Sequence, residues 1–187
     1  MQQKFHKISW EKFHHYCFCL AKTIIKAGED IDQIVVISRG GLVIGRILSD
    51  FLSLPISLFT IQAYKEIGKQ KKPQIIEKLN AKISGKKILL VDEIVDTGNT
   101  LFLALSYLKK FKPQKIKTAA LFFKERAKVT PDFFLFKTTA WVIFPYEVKE
   151  TVNDLCQIWG KQGISRKEIK SRLLKIGLPK KQVEYFL

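Results

Sequence analysis

Apolar positions along this chain change spacing repeatedly, and the change predicts alternating helices and strands. From Trp10 to about Lys26 they recur every three or four residues, as in an amphipathic helix, and Ser9 can cap its start. A second helix is predicted over residues 42–52 and a third follows residue 100. Short apolar runs predict strands at residues 33–37, 56–63, 88–91, 116–123, 133–136 and 141–144. The alternation predicts an α/β fold with a mostly parallel, twisted sheet and flanking helices.

The end of the chain follows a different pattern. Ser165 and Glu168 have the spacing of a capping box, which predicts a helix start. Gly177 closes that helix, and Pro179 suits the first turn of a last short one. We therefore predict a main domain over residues 1–148 and a small helical appendage over residues 149–187.

Composition excludes some classes of protein. The chain has 187 residues and is 47% apolar, enough for one buried core. It has no apolar run of membrane-spanning length, and its first ten residues lack an apolar signal core. Its three cysteines are too few and too badly spaced for a disulfide framework or a zinc site. We therefore expect core thiols, a cytoplasmic location and no membrane partner.

The formal charge of +16 changes this picture by pointing to anionic partners. Eight lysines fall between residues 65 and 87, and eight lysines or arginines between residues 161 and 181. Such a surplus suits nucleotides, pyrophosphate or nucleic acid, and charge alone does not choose among them.

The segment from residue 88 to residue 101 carries the most specific chemistry. An apolar strand ends in two acids, Asp92 and Glu93, and leads to the loop Asp96-Thr97-Gly98-Asn99-Thr100 before an apolar helix. Ligands bind at the carboxyl ends of parallel strands, and a helix N-terminus offers amide groups to a phosphate. Gly98 permits close backbone approach, and the threonines add hydroxyl donors. A capped strand-turn-helix would not explain the doubled acid, so we predict a sugar-phosphate site.

This segment resembles the signature of the type I phosphoribosyltransferases, which bind phosphoribosyl pyrophosphate (PRPP). Their pattern is an apolar strand, two acids, two apolar residues and Asp-Thr-Gly-x-Thr, and Glu93 stands where Asp is more frequent. The resemblance implies that residues 96–100 bind the 5-phosphate and that Asp92 and Glu93 hold the ribose hydroxyls. It also implies that Asp96 faces N7 of a base as a catalytic general base.

A second loop, Ser38-Arg39-Gly40-Gly41, follows the first predicted strand directly. A cation with flexible neighbours suits a pyrophosphate, although turns of this composition are common. The same tetrapeptide occurs in the pyrophosphate loop of the xanthine-guanine phosphoribosyltransferases. In that family the bond after the arginine can be cis, which here corresponds to Arg39–Gly40.

Three residues near later strands suggest a base pocket. Taken alone, Lys124 is a solvated lysine at a strand end and Trp141 a core residue. The resemblance implies instead that Lys124 donates to a purine 6-oxo group, that Trp141 stacks on the ring and that Val142 offers backbone groups to its edge.

The resemblance also implies a magnesium ion and a lid. Glu147 falls where the purine enzymes carry an acid that holds Mg²⁺, with Asp92 as a second candidate ligand; a plain surface glutamate is the alternative. Tyr64 stands at the base of a lysine-rich loop, about residues 64–80, that could close over the site and exclude water. Ala63 occupies the place of a frequent serine.

The resemblance implies a purine salvage enzyme that uses Mg²⁺ to transfer the phosphoribosyl group of PRPP to guanine, xanthine or hypoxanthine, acting as a homodimer or homotetramer. The alternative is a PRPP- or nucleotide-sensing regulator of the same fold that binds nucleic acid through its basic surface. A phosphoribosyltransferase for another base is a third option. Retention of Asp96, Lys124 and Trp141 favours the 6-oxopurine enzyme, because a regulator needs no base pocket. The sequence does not rank the three purines.

Overall fold

The structure is a computed structural model that describes residues 3–62 and 72–187, and only the backbone of 65–66 and 69–70 between them. None of the helices in these ranges is long and apolar enough to cross a membrane. The elements are, in chain order, β1 (Phe5–Lys7), α1 (Trp10–Lys26), β2 (Gln33–Ser38), α2 (Gly41–Leu52), β3 (Ile56–Gln62), β4 (Lys65–Glu66), β5 (Lys69–Gln70), β6 (Gln74–Glu77), β7 (Lys87–Val91), β8 (Ile94–Val95), α3 (Asn99–Lys109), β9 (Lys115–Phe123), β10 (Phe133–Lys137), β11 (Trp141–Ile143), α4 (Val148–Lys161), α5 (Arg166–Lys175) and α6 (Lys180–Phe186).

A seven-stranded sheet forms the centre of the first compact unit, residues His14–Thr138. Its strand order is β10-β9-β7-β2-β3-β6, with β8 also paired to β9. All pairs except β3 with β6 are parallel, which confirms the predicted mostly parallel α/β sheet. Five residues of β2 are buried, as expected for a strand covered on both faces.

One face of this sheet is packed by α3, which follows the signature loop. Its apolar residues Leu101, Ala104 and Leu108 recur at helical spacing and join the buried cluster that contains Val35 and Leu90. Helix α3 is therefore anchored to the two central strands, β2 and β7, through a continuous core.

The second compact unit comprises Met1–Phe13 and Thr139–Leu187. Here β1 pairs in parallel with β11, and the three C-terminal helices surround a core of Val152, Leu155, Ile169, Leu173 and Val183. The predicted helical appendage is thus present as packed helices. The boundary at residue 148 falls inside this unit, at the start of α4, and the division into domains at that point stays a prediction.

The caps explain where these last helices begin and end. The Ser165 hydroxyl accepts a hydrogen bond from the Glu168 amide at 3.3 Å, as the capping box requires. Gly177 has φ +92°, a conformation that glycine adopts without strain, and Pro179 precedes α6. Local sequence therefore determines these helix ends.

The lysine-rich segment predicted as a loop over about residues 64–80 contains three short strands, β4, β5 and β6. Of these, β6 pairs antiparallel with β3 at the edge of the sheet. Strand β6 has only four residues and lies in a polar, lysine-rich segment, so the sequence shows no clear alternation of apolar and polar residues there. Tyr64 lies outside the described residues, and the lid over residues 64–80 stays a prediction.

Candidate functional site

Two loops meet at the carboxyl end of the sheet because β2 and β7 are neighbours in register. Val36 pairs with Val91, so the loop after β2 lies beside the acids that follow β7. A Cβ on Gly40 would overlap the carboxylate of Glu93, and one on Gly41 would lie 2.6 Å from the Val91 carbonyl oxygen. Glycine is therefore required at Gly41, where the backbones approach closely, whereas a side chain at Gly40 would displace the carboxylate of Glu93.

The pyrophosphate-loop candidate, Ser38 to Gly41, has a cis peptide bond, but not where the resemblance placed it. The cis bond joins Ser38 and Arg39, so its assignment to Arg39–Gly40 was wrong by one residue. A motif gives the order of side chains and leaves the peptide geometry between them open. The Leu42 amide donates to the Arg39 carbonyl at 3.1 Å, which turns the loop directly into α2.

The paired acids are held by backbone contacts with β9. The Asp92 amide donates to the Ala119 carbonyl at 3.1 Å, and the Glu93 carbonyl accepts from the amides of Leu121 and Phe122. The Asp92 carboxylate also accepts the Glu93 amide at 3.0 Å. Both acids are half-buried, and their backbone is held at the carboxyl end of the sheet by these bonds.

The phosphate-loop candidate turns at Gly98, the N-cap of α3, which has φ +81° and offers no side chain to cap the helix. A Cβ there would lie 2.9 Å from the Val129 nitrogen and 3.0 Å from the Lys128 nitrogen, so glycine is needed for both conformation and space. The Lys128 amide donates to the Thr97 carbonyl at 3.0 Å. This hydrogen bond holds the loop against the turn after β9, and the backbone amides in the first turn of α3 can bind an anion.

A cluster of three charged side chains lies at the head of this loop. Arg126 donates to Asp96 Oδ1 from Nε at 2.9 Å and from Nη2 at 2.6 Å, and Lys124 Nζ lies 3.4 Å from the same oxygen. The side chains of Lys124, Asp96 and Arg126 are 15%, 43% and 63% exposed. The proposed general base and the proposed 6-oxo donor are therefore neighbours.

Arg126 was missed by the sequence reasoning. It lies thirty positions beyond Asp96, in the turn after β9, and no spacing rule connects the two. The sequence could have indicated the contact only through the parallel pairing of β7 with β9, because residues that follow neighbouring parallel strands lie at the same end of the sheet.

The base-stacking candidates, Trp141 and Val142, belong to the second compact unit. The Trp141 amide donates to the Lys4 carbonyl at 2.8 Å, and its ring centroid lies 6.2 Å from that of Phe5. The ring is half-buried and packs against the core of the C-terminal helices, while Val142 is buried opposite His6. Trp141 therefore has a structural role in this unit whatever else it contacts.

Glu147, the magnesium candidate, stands at the N-cap position of α4. Its carboxylate accepts the Phe144 amide at 3.3 Å, which gives it a structural contact as well. Within residues 3–62 and 72–187, no group of three or more His, Cys, Asp or Glu side chains is arranged to hold a metal ion.

The cysteines show no sign of nucleophilic chemistry. Burial raises the pKa of the Cys17 thiol to about 12, although its own backbone partly offsets this, so the thiol stays protonated near neutrality. Burial also raises the pKa of Cys156, and the three cysteines are unbridged.

Comparisons with known proteins agree with this geometry. Residues 9–151 match the sequence model of the family described as "Phosphoribosyl transferase domain". The xanthine-guanine phosphoribosyltransferase of Idiomarina loihiensis is 28% identical over 144 residues, which cover 75% of this chain and 86% of that protein. The xanthine phosphoribosyltransferase 1 of Saccharomyces cerevisiae is 32% identical over 124 residues, 55% of this chain and 59% of the yeast protein.

A solved structure extends the similarity to three dimensions. The purine phosphoribosyltransferase from Pyrococcus horikoshii Ot3 superimposes with a TM-score of 0.69 and 30% identity, over 77% of this chain and 94% of that one. Residues 9–151, which match the family model, contain the strands of the main sheet, the signature loop and the Ser38–Gly41 loop. On this evidence the chain belongs to the phosphoribosyltransferase family.

Proposed function

We propose that this protein transfers the phosphoribosyl group of PRPP to a 6-oxopurine and releases pyrophosphate. The observation that carries the proposal is the placement of Lys124 Nζ 3.4 Å from Asp96 Oδ1, at the head of the Gly98 loop. A carboxylate beside a fixed ammonium can face N7 and the 6-oxo group of one purine. The names of the relatives, which act on xanthine, guanine or purines, support the same choice.

In the proposed complex, residues 96–100 bind the 5-phosphate, Asp92 and Glu93 the ribose hydroxyls, and Ser38 to Gly41 the pyrophosphate. The bond from C1′ to the pyrophosphate oxygen breaks and a bond from C1′ to a purine nitrogen forms. The proton lost by the purine passes to Asp96. Trp141 stacks on the base and Val142 contacts its edge. Most of the acceleration then comes from positioning and electrostatics.

Magnesium fits the residues present. Substrate-bound Mg²⁺ commonly uses one or two carboxylates together with phosphate oxygens, and Asp92 and Glu147 are the candidates for that role. When bound, the ion would neutralise pyrophosphate charge. The protein's own contribution is to orient these carboxylates, since Asp92 accepts the Glu93 amide and Glu147 accepts the Phe144 amide.

We also propose a homodimer or homotetramer. Apolar side chains on the adjacent strands β3 and β6 are exposed, namely Ile56, Leu58 and Ile76. A second copy would cover such a surface. Light scattering of the purified chain tests this, and a monomer at micromolar concentration would contradict it.

The function is tested by incubating the full chain with Mg²⁺ and PRPP and with guanine, hypoxanthine, xanthine or adenine in turn. Nucleotide formation and pyrophosphate release should appear together with at least one 6-oxopurine, at least about tenfold above adenine, because Lys124 donates to an oxygen and not to an amino group. Equal use of adenine would refute the base assignment. Absence of all transfer together with tight, sequence-selective nucleic-acid binding at physiological salt would instead establish the regulator.

A further inference from the structure

Arg126 is the principal partner of Asp96. It places two donors on one carboxylate oxygen, at 2.9 and 2.6 Å, whereas Lys124 lies at 3.4 Å from that oxygen. Hydrogen bonds between charged groups are shorter than those between neutral groups and about twice as strong. The orientation of Asp96 is therefore set mainly by the arginine.

The turn that carries Arg126 is tied to the phosphate loop. The Ala127 amide closes the turn on the Lys124 carbonyl at 2.9 Å, and the next amide, Lys128, donates to Thr97 at 3.0 Å. The Lys124 amide donates to the Val95 carbonyl at 2.9 Å. The backbones of Arg126 and Asp96 are thus held in one hydrogen-bonded structure, which limits how far the guanidinium can move.

All three contacts use Oδ1 of Asp96. Among the residues that the structure describes, no hydrogen bond or ion pair reaches Oδ2. A carboxylate has about four acceptor positions, so Oδ2 can still accept a proton or a hydrogen bond from a ligand. Because Arg126 balances the charge at Oδ1, Lys124 can turn its donors to a ligand without leaving the carboxylate uncompensated.

We infer that Arg126 is a positioning residue for the transfer reaction, an inference that rests on the proposed function. It holds Oδ1 so that Asp96 presents Oδ2 to the purine proton, and it frees Lys124 for the 6-oxo group. Arg126 acts through Asp96 and does not touch the substrate. Recognition of the base therefore depends on a side chain outside the signature loop.

Two variants of the full chain test this, Arg126→Met and Arg126→Lys, with Glu125→Gln as the matched control. Glu125 is the neighbouring residue in the same turn and pairs with Lys137 at 2.9 Å on an exposed surface. Arg126→Met should lower kcat/KM for the 6-oxopurine about tenfold to a hundredfold, the scale of a misplaced catalytic group. The KM for PRPP should stay within about twofold, because the phosphate loop is intact.

The control and the conservative variant separate positioning from general damage. Glu125→Gln should have the same kcat/KM for the 6-oxopurine and the same KM for PRPP as the wild type. Arg126→Lys should recover part of the loss, since lysine restores the charge but not two donors in a fixed fork. Unfolding midpoints should be unchanged because the Arg126 side chain is mostly exposed. An Arg126→Met protein with wild-type base kinetics would overturn the inference.

A double variant makes the assignment specific to Asp96. In an Asp96→Asn background, Arg126→Met should cause no further loss, because its target is already removed. An equal fold loss in both backgrounds would show that Arg126 acts elsewhere and would overturn the inference alone. A wild-type protein that transfers to no purine would overturn both this inference and the proposed function.

Discussion

The two ends of the same sheet carry charges in opposite arrangements. At the amino end, acids and lysines pair with one another. Lys115 lies 2.5 Å from Glu29, and Lys117 lies 3.2 Å from Glu29 and 3.1 Å from Asp132. These contacts lower the pKa of Glu29, chiefly through the hydrogen bond from Lys115, and raise that of Lys117, chiefly through Asp132.

At the carboxyl end, by contrast, the charges converge on a loop. Asp92, Glu93 and Asp96 all follow β7 or β8 within five residues, and two cations share one oxygen of Asp96. Gly41 and Gly98 lack side chains at the points where another backbone segment approaches closely. The amino end has acids and lysines in separate pairs, and the carboxyl end gathers three acids around a loop that we propose binds a ligand.

A groove of about 470 Å³ shows why concavity alone does not identify the site. It lies at the amino end and is lined in part by Lys115, Thr118 and Asp132. Asp132 accepts from the Thr118 amide at 2.9 Å and from its hydroxyl at 2.7 Å. Since these polar groups already bond to each other, we expect substitutions there to change stability and leave turnover intact.

The largest effect should come from the carboxyl end. Asp96→Asn should lower turnover about 10²-fold or more, the usual scale for a general base, because the amide cannot take the purine proton. PRPP binding, measured by calorimetry, should persist since the Gly98 loop is unchanged. Turnover near that of the wild type would remove Asp96 from the mechanism.

The next effect separates the base from PRPP. Lys124→Ala should weaken use of a 6-oxopurine by about 1.5–3 kcal/mol, the value of a charged hydrogen bond, and affect PRPP much less. Lys137→Ala is a suitable control, because Lys137 is an exposed lysine on the neighbouring strand β10. An equal weakening of the use of PRPP and of the 6-oxopurine would indicate that Lys124 supports the loop and does not bind the base.

At the amino end, Asp132→Asn should destabilise the protein without changing kcat. Burial alone would raise the pKa of Asp132, but hydrogen bonds from Thr118 and Lys117 outweigh it and hold the pKa below its ordinary 3.8. A carboxyl group whose pKa is lower in the folded state stabilises the fold at pH values above its unfolded pKa. This stabilisation is lost as the pH falls through the folded-state pKa.

The free energy of unfolding should therefore fall by about 1–2 kcal/mol at neutral pH, with the difference from wild type shrinking below pH 3.8. Urea unfolding across pH measures it, and Asp30→Asn, an exposed acid paired with Lys87 at the same end, is the control. A loss of kcat with unchanged stability would reverse the comparison between the two ends.

The smallest effect is expected for Glu29→Gln, which weakens the ion pairs to Lys115 and Lys117. Partly exposed ion pairs contribute little and are screened by salt, so the melting midpoint should fall less than for Asp132→Asn and converge with wild type in high salt. Glu11→Gln, in the first turn of α1, controls for the change in net charge. A salt-independent loss would show that this pair is more than a surface contact.

Elements with strong periodicity were predicted closely. The helix predicted from Trp10 to about Lys26 is α1, and the signature strand and its helix appear within two residues of their predicted starts. Five short strands, β1, β4, β5, β6 and β8, were not predicted, because two to four residues carry too little pattern and gain their geometry from a partner strand.

The sequence by itself determined the local structure of residues 88–101, because strand, acids, glycine and helix are contiguous and each follows from local rules. It also determined the family and the capped C-terminal helices. Tertiary structure decided which distant groups meet. The pairing of Val36 with Val91 brings Gly40 against Glu93, and the turn after β9 brings Arg126 to Asp96. The register of parallel strands depends on packing across a shared core, which local spacing along the chain does not encode.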